Sequence, residues 1–149
     1  MRSHRTPPSA RTSPSVHGEV AHDGAAELRQ ALDVIAAGDR VVFHCASGKD
    51  RTGLLAALVL SLVGVGEDDV AADFELTEAA TDRLIADWRA DHPGRRLVWP
   101  GYGRAPQDVI RRFLAEPTER YGSVHGYARQ RLGVDDALVD ALRKGLLNG

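Results

Sequence analysis

The stretch from Val41 to Gly64 constrains this chain more than any other. It opens with Val41-Val42-Phe43, a short β-branched and aromatic run without polar alternation, which predicts a strand buried on both faces, as in a parallel sheet. A polar, glycine-punctuated loop follows, His44-Cys45-Ala46-Ser47-Gly48-Lys49-Asp50-Arg51-Thr52-Gly53. Leu54 to Val65 is then apolar almost all round, which predicts a helix sunk in the core and ending near Gly64. A strand that runs through such a loop into a helix start is an anion-binding geometry. Backbone N–H groups of the tight loop point inward, and the helix adds its positive end.

The rest of the chain reads as helices around this unit. Ala25, Leu28, Leu32 and Ile35 share one helical face, with Asp23 as the expected cap and Gly38 as the stop. Glu67 to Trp88 is helical by pattern with a break near Thr77 to Thr81, and Val70, Phe74, Leu76, Leu84, Ile85 and Trp88 are its expected apolar positions. His92 to Pro106 is a loop by its Pro and Gly content. Pro106 is placed for the first helical position, ahead of Val109, Ile110, Phe113 and Leu114. Ser123 is the expected cap of a helix through Tyr127 and Leu132, and Asp135 that of a last helix carrying Leu138, Leu142 and Leu146. A single strand has no neighbours to satisfy its backbone, so the expected fold is α/β but predominantly helical, with a truncated parallel sheet.

The 149 residues suit one domain. Residues 1–22, rich in Ser, Pro and Arg, are expected to be a disordered tail, and residues 23–149 a catalytic domain. Nineteen basic against 21 acidic residues give a formal charge of −2 and no general drive toward nucleic acid or anionic membrane. No run reaches the roughly 18–20 apolar residues of a membrane span, and the basic N-terminus has no apolar segment behind it to make a secretory signal. The expectation is a monomeric cytoplasmic protein. One cysteine excludes a disulfide framework and any multi-cysteine metal cluster.

That cysteine, Cys45, lies at the mouth of the expected strand, and Arg51 stands six positions on. If the loop curls around a phosphoryl group, the sulfur lies beneath the phosphorus and Arg51 forks onto two equatorial oxygens, a contact that Lys would not reproduce. The same field favours the thiolate, because a helix N-terminus and nearby cations lower a thiol pKa from about 8.5 by several units. Thr52 is placed to donate its hydroxyl to the sulfur, Lys49 to add a cation at the rim, Gly48 to let the backbone approach the anion, and Gly53 to allow close packing at the helix start. For His44 two readings stand level: a ring that orders the loop by bonding a carbonyl, or a satisfied buried histidine.

These residues resemble the signature of cysteine-dependent protein tyrosine phosphatases. More narrowly, they are similar to the bacterial tyrosine-protein phosphatase family whose loop reads His-Cys-x-x-Gly-Lys-Asp-Arg-Thr-Gly. A second patch, Arg120-Tyr121-Gly122-Ser123-Val124-His125-Gly126-Tyr127, resembles that family's C-terminal Tyr-Gly-Ser-x-x-x-Tyr segment. The resemblance implies a phosphatase-like fold with Cys45 as nucleophile, Arg51 as phosphate clamp, and the loop from Ala46 through Ser47, Gly48, Lys49 and Asp50 to Thr52 as phosphate cradle. His44 and Gly53 support it. It also implies phosphotyrosine as substrate, with phosphoserine, phosphothreonine or phosphoinositides beside it, and so a phosphorylated protein or phospholipid as partner. The family's longer N-terminal half, with an Arg-Asp-Leu-Gly-Gly-like segment, is not found here, and with it goes the expected source of the missing strands.

The implied reaction is two displacements through a phosphocysteine, with neither metal nor cofactor. Asp50 is the first candidate for the acid that protonates the leaving oxygen; its competing role is an ion pair with Arg51 or a neighbouring cation. Asp73 and Asp91 have no spacing to support them, and the family's usual acid is expected in the part not found here. Arg95, Arg96, Trp99 and Tyr102 read as a solvated loop with an anchoring aromatic more readily than as a substrate lip. Glu67, Asp68 and Asp69 suit a helix start without a metal. Three rivals remain: an arsenate reductase, for which resolving cysteines are lacking, a sulfurtransferase, and a catalytically crippled remnant that still binds phosphate.

Overall fold

The most apolar stretch of the chain becomes its centre. The computed structural model describes residues 24–38, 40–46, 48–98 and 102–148; the expected tail over 1–22, the Asp23 cap, Ser47 and Trp99 lie outside them. Among the described residues seven α-helices are formed in this order: α1 (Ala25–Ala36), α2 (Asp50–Val63), α3 (Glu67–Glu75), α4 (Thr81–Asp91), α5 (Gln107–Tyr121), α6 (Val124–Leu132) and α7 (Asp136–Leu147). A 3-10 turn, Leu76–Ala80, joins α3 to α4 at the break expected from the sequence. Helix α2 packs against α1, α3, α5, α6 and α7. Leu54, Leu58 and Leu62 on it are essentially inaccessible, as are Leu32 on α1, Ile110 on α5 and Leu142 on α7. Each such side chain stabilises the fold by about 1.5–3 kcal/mol relative to leaving it exposed.

Local chemistry sets the helix ends. Gly64 stops α2 in the left-handed conformation. Ser123 accepts a hydrogen bond from the Gly126 amide at 2.8 Å, and Asp135 one from Leu138 at 2.9 Å, so both expected caps form. Pro106 stands one residue earlier than expected, at the cap of α5 rather than inside it.

Some of the expected apolar core positions are corrected. Leu84, Ile85 and Trp88 are not core: α4 contains no buried residue, and among the described helical elements it packs on the 3-10 turn alone. Leu76 is likewise exposed. Trp88 finds its partner locally, stacked on His92 at 4.6 Å, while His92 Nδ1 donates to the Trp88 carbonyl at 2.9 Å. On α7 the buried face is Val139 and Leu142, with Leu146 half exposed. The expected sheet is not seen among the described residues. Val41–Phe43 form no ladder, Val42 is 91% exposed, and no backbone group of the three has a partner among the described residues. A strand is stable only beside other strands, and none of the described residues supplies one.

Candidate active site

The loop from His44 to Lys49 is held at its far end by the first turn of α2. Lys49 is the cap residue, and the first helical bond runs from the Gly53 amide to the Lys49 carbonyl at 2.7 Å. Gly48 adopts φ +67°, a left-handed conformation that a side chain would strain, and this reverses the chain into the helix. Gly53 serves by close approach. A Cβ there would stand 2.5 Å from Phe74 Cε2, so the bare backbone lets α3 pack directly on the start of α2.

Beside this turn a cleft of about 340 Å³ opens between α1 and α2. His44, Cys45, Arg51 and Thr52 line it, over a floor that includes Leu28 and Leu55. Cys45 is half-buried and free of any disulfide. The Arg51 side chain is exposed and forms no ion pair among the described residues. The Thr52 hydroxyl is buried and lacks any hydrogen-bond partner among the described residues. An orphaned buried hydroxyl costs about 1–3 kcal/mol, and Thr52 shares the lining of the cleft with Cys45 and Arg51. Exposed His44 has Nδ1 3.2 Å from the Cys45 carbonyl, which puts its proton on Nδ1 in the neutral ring. The ring therefore bonds the loop backbone rather than lying buried in the core.

Other residues of the loop are turned elsewhere. Ala46 and Gly48 are exposed along it. Lys49 is directed inward rather than to the rim. It is 5% exposed, the one buried charged residue among those described, and its ammonium donates to the Arg104 carbonyl at 2.9 Å. Asp50 Oδ1 lies 3.3 Å from the same ammonium. A buried ammonium is tolerated only when its donors are satisfied, and these two oxygens do that. Asp50 is thus paired with a neighbouring cation, and that cation is Lys49, not Arg51.

Glu27 is a cleft residue that the sequence did not disclose. It projects from α1 into the same space as Cys45 and Arg51. Only tertiary packing of α1 on α2 brings residues 27 and 45 together, and no motif records it. Elsewhere, Glu78 accepts from the Ala105 amide and from Arg104 Nε, both at 3.0 Å. The Ala105 amide first, and Arg104 second, hold its carboxyl below the usual range. Among the described residues no helix is long and apolar enough to cross a membrane.

A family model described as the tyrosine phosphatase family matches residues 1–148. A tyrosine-protein phosphatase of Nostoc commune is 32% identical over 127 residues, covering 78% of this chain and 43% of the relative. The triple specificity protein phosphatase PtpB of Mycobacterium tuberculosis is 32% identical over 136 residues, covering 80% and 48%. A relative from Cupriavidus necator is 49% identical over 110 residues, covering 67% and 38%. The chain therefore spans less than half the length of these curated relatives.

Proposed function

The chain belongs to the tyrosine phosphatase family, and from that premise we propose that it hydrolyses phosphomonoesters, phosphotyrosine first among them, through a phosphocysteine on Cys45. The observation that carries this reading is the cleft itself, where Cys45, Arg51 and the orphaned Thr52 hydroxyl meet at the N-terminus of α2. In the first step the Cys45 thiolate attacks phosphorus in line, the S–P bond forms, and the P–O bond to the alcohol or phenol breaks. The leaving oxygen takes a proton from a general acid. In the second step water attacks phosphorus, the S–P bond breaks, and inorganic phosphate leaves with the thiolate restored. Arg51 forks onto two equatorial oxygens while the positive end of α2 faces the charge that spreads over them. The Thr52 hydroxyl makes no bond to the Cys45 sulfur in this structure; turned onto it, the hydroxyl would stabilise the thiolate as a leaving group in the second step.

Two carboxylates compete for the acid's role. Asp50 is engaged by the Lys49 ammonium at 3.3 Å. Glu27 lines the cleft, and for that reason we assign it the proton. Phosphoserine, phosphothreonine and phosphoinositides stand as further substrates of the same thiol chemistry, and the enzyme acts as a monomer in a compartment that keeps the Cys45 thiol reduced. The same reading makes Val41–Phe43 the strand that leads into the loop within a parallel sheet. Its support is the β-branched and aromatic composition of the run.

Hydrolysis of p-nitrophenyl phosphate, with and without chelator, is the test. Chelator-resistant turnover that disappears in both Cys45→Ser and Arg51→Ala supports the thiol mechanism. A folded protein without turnover sinks it and leaves a phosphate-binding remnant. Glu27→Gln is expected to slow a poor leaving group, such as a phosphoserine peptide, far more than p-nitrophenolate. Asp50→Asn with that signature instead would move the acid to Asp50.

A further inference from the structure

The buried ammonium of Lys49 has work that phosphate binding does not explain. It leaves the loop, crosses to the segment that precedes α5, and ends 2.9 Å from the Arg104 carbonyl. That segment is gripped again from its other side. Thr81 Oγ1 on α4 donates to the Gly103 carbonyl at 2.8 Å, and the Glu78 carboxylate in the 3-10 turn takes the Ala105 amide and Arg104 Nε. Gly103 and Ala105 are themselves buried, and Gly103 has φ +76° with Thr81 close against it.

We propose that Lys49 is a positioning residue: its ammonium ties the phosphate loop to a strut, Gly103–Ala105, which Glu78 and Thr81 brace from behind. The inference rests on the phosphatase reading for its catalytic consequence, though the strut itself does not. Lys49 caps α2, and Arg51 is two residues on. Fixing the Lys49 side chain therefore fixes the first turn of the helix and, with it, the direction from which the guanidinium reaches the cleft. A cation is required because two oxygens, Arg104 O and Asp50 Oδ1, converge on an ammonium that is itself almost fully buried. In this arrangement the charge of Lys49 serves the loop's shape, and Arg51 alone is the phosphate-facing cation of the pair.

The test uses the whole chain and four proteins: wild type, Lys49→Met, Lys49→Arg and Glu78→Ala. Three readouts are taken: hydrogen exchange at residues 102–106, tungstate binding by calorimetry as a phosphate probe, and kcat and KM for p-nitrophenyl phosphate. Lys49→Met is expected to raise exchange at Ala105 at least tenfold and to lower kcat by one to two orders of magnitude. Glu78→Ala, which removes no group from the cleft, is expected to shift both readouts in the same direction, and Lys49→Arg to restore part of each. If Lys49→Met weakens tungstate binding while exchange at 102–106 stays as in wild type, and Glu78→Ala changes nothing, Lys49 is a direct ligand and the proposal is overturned. If wild type neither binds tungstate nor turns over, the phosphatase reading fails by itself, and the exchange data still decide whether the strut exists. Glu78→Ala keeps the question answerable should Lys49→Met not fold.

Discussion

Helices α2 and α4 carry the same kind of sequence signal and meet opposite fates. Both show apolar residues at helical spacing, yet α2 touches five other helices, whereas among the described helical elements α4 meets only the 3-10 turn. What separates them is the shape of the apolar surface. On α2 it runs around the whole circumference, so every side demands a neighbour. On α4 it is a narrow stripe of Leu84, Ile85 and Trp88, which the 3-10 turn and local ring stacking cover in part. A narrow stripe can be met by local contacts, whereas a full circumference requires a tertiary core.

The sharpest break of this comparison is a matched pair of truncations. Leu58→Ala on α2 is expected to cost about 2–5 kcal/mol, because a fully enclosed side chain leaves a cavity, whereas Leu84→Ala costs less than about 1 kcal/mol. Urea unfolding of the two variants measures the difference, and equal losses would mean that α4 is part of the core. Next in size is Gly53→Ala. Alanine favours a helix over glycine by about 0.5–1 kcal/mol, but the new methyl would press on the Phe74 ring, and overpacking costs about 1–3 kcal/mol. The clash wins, so the melting temperature is expected to fall, and a rise would show that Phe74 yields freely.

Acidity tests the outer region. Glu78 is held below its usual range by the Ala105 amide and Arg104, so its stabilising contribution is present above the ordinary carboxylate pKa of 4.5 and is lost as pH falls below it. Amide exchange at Ala105, corrected for its intrinsic pH dependence, is expected to rise in acid while Leu58 stays protected. Protection at Ala105 that shows no loss anywhere on the acid side of 4.5 before the core itself opens would contradict this. The smallest effect belongs to Tyr127 in the core. Burial, reinforced by the neighbouring Tyr121, pushes its phenol up to about 12. Its contribution is therefore whole below the ordinary pKa of 10 and is lost as pH rises from there through about 12. Tyr127→Phe is expected to flatten the alkaline limb of the stability curve by about 1–2 kcal/mol, measured by denaturant titration between pH 9 and 11.

The sequence was legible wherever the decisive physics was local. Ser123, Asp135 and Gly64 mark their helix ends because caps and left-handed stops act within one turn. The Cys45–Arg51 spacing likewise spans one loop and one helix start, so the two side chains that share the cleft could be named in advance. Where distant segments decide, the reading stopped short. Glu27 reaches the cleft only because α1 lies on α2, and Lys49 turns inward only because Arg104 offers a carbonyl 55 residues away. Leu84 stays only half-buried because no described helix lies opposite it, and no residue on α4 records that. The strand at Val41–Phe43 has the right composition, but a ladder belongs to two segments and its partner is not among those described.

One helix is both the hub of the core and the platform of the loop, and this sets the terms on which the protein can vary by mutation. A substitution in any of the five helices that touch α2 alters how that rod is seated, and the rod carries Arg51 at its tip. Repacking the interior thus changes the aim of the guanidinium even where stability survives. The outward face of α4 is free of that linkage, and drift there leaves the cleft as it was.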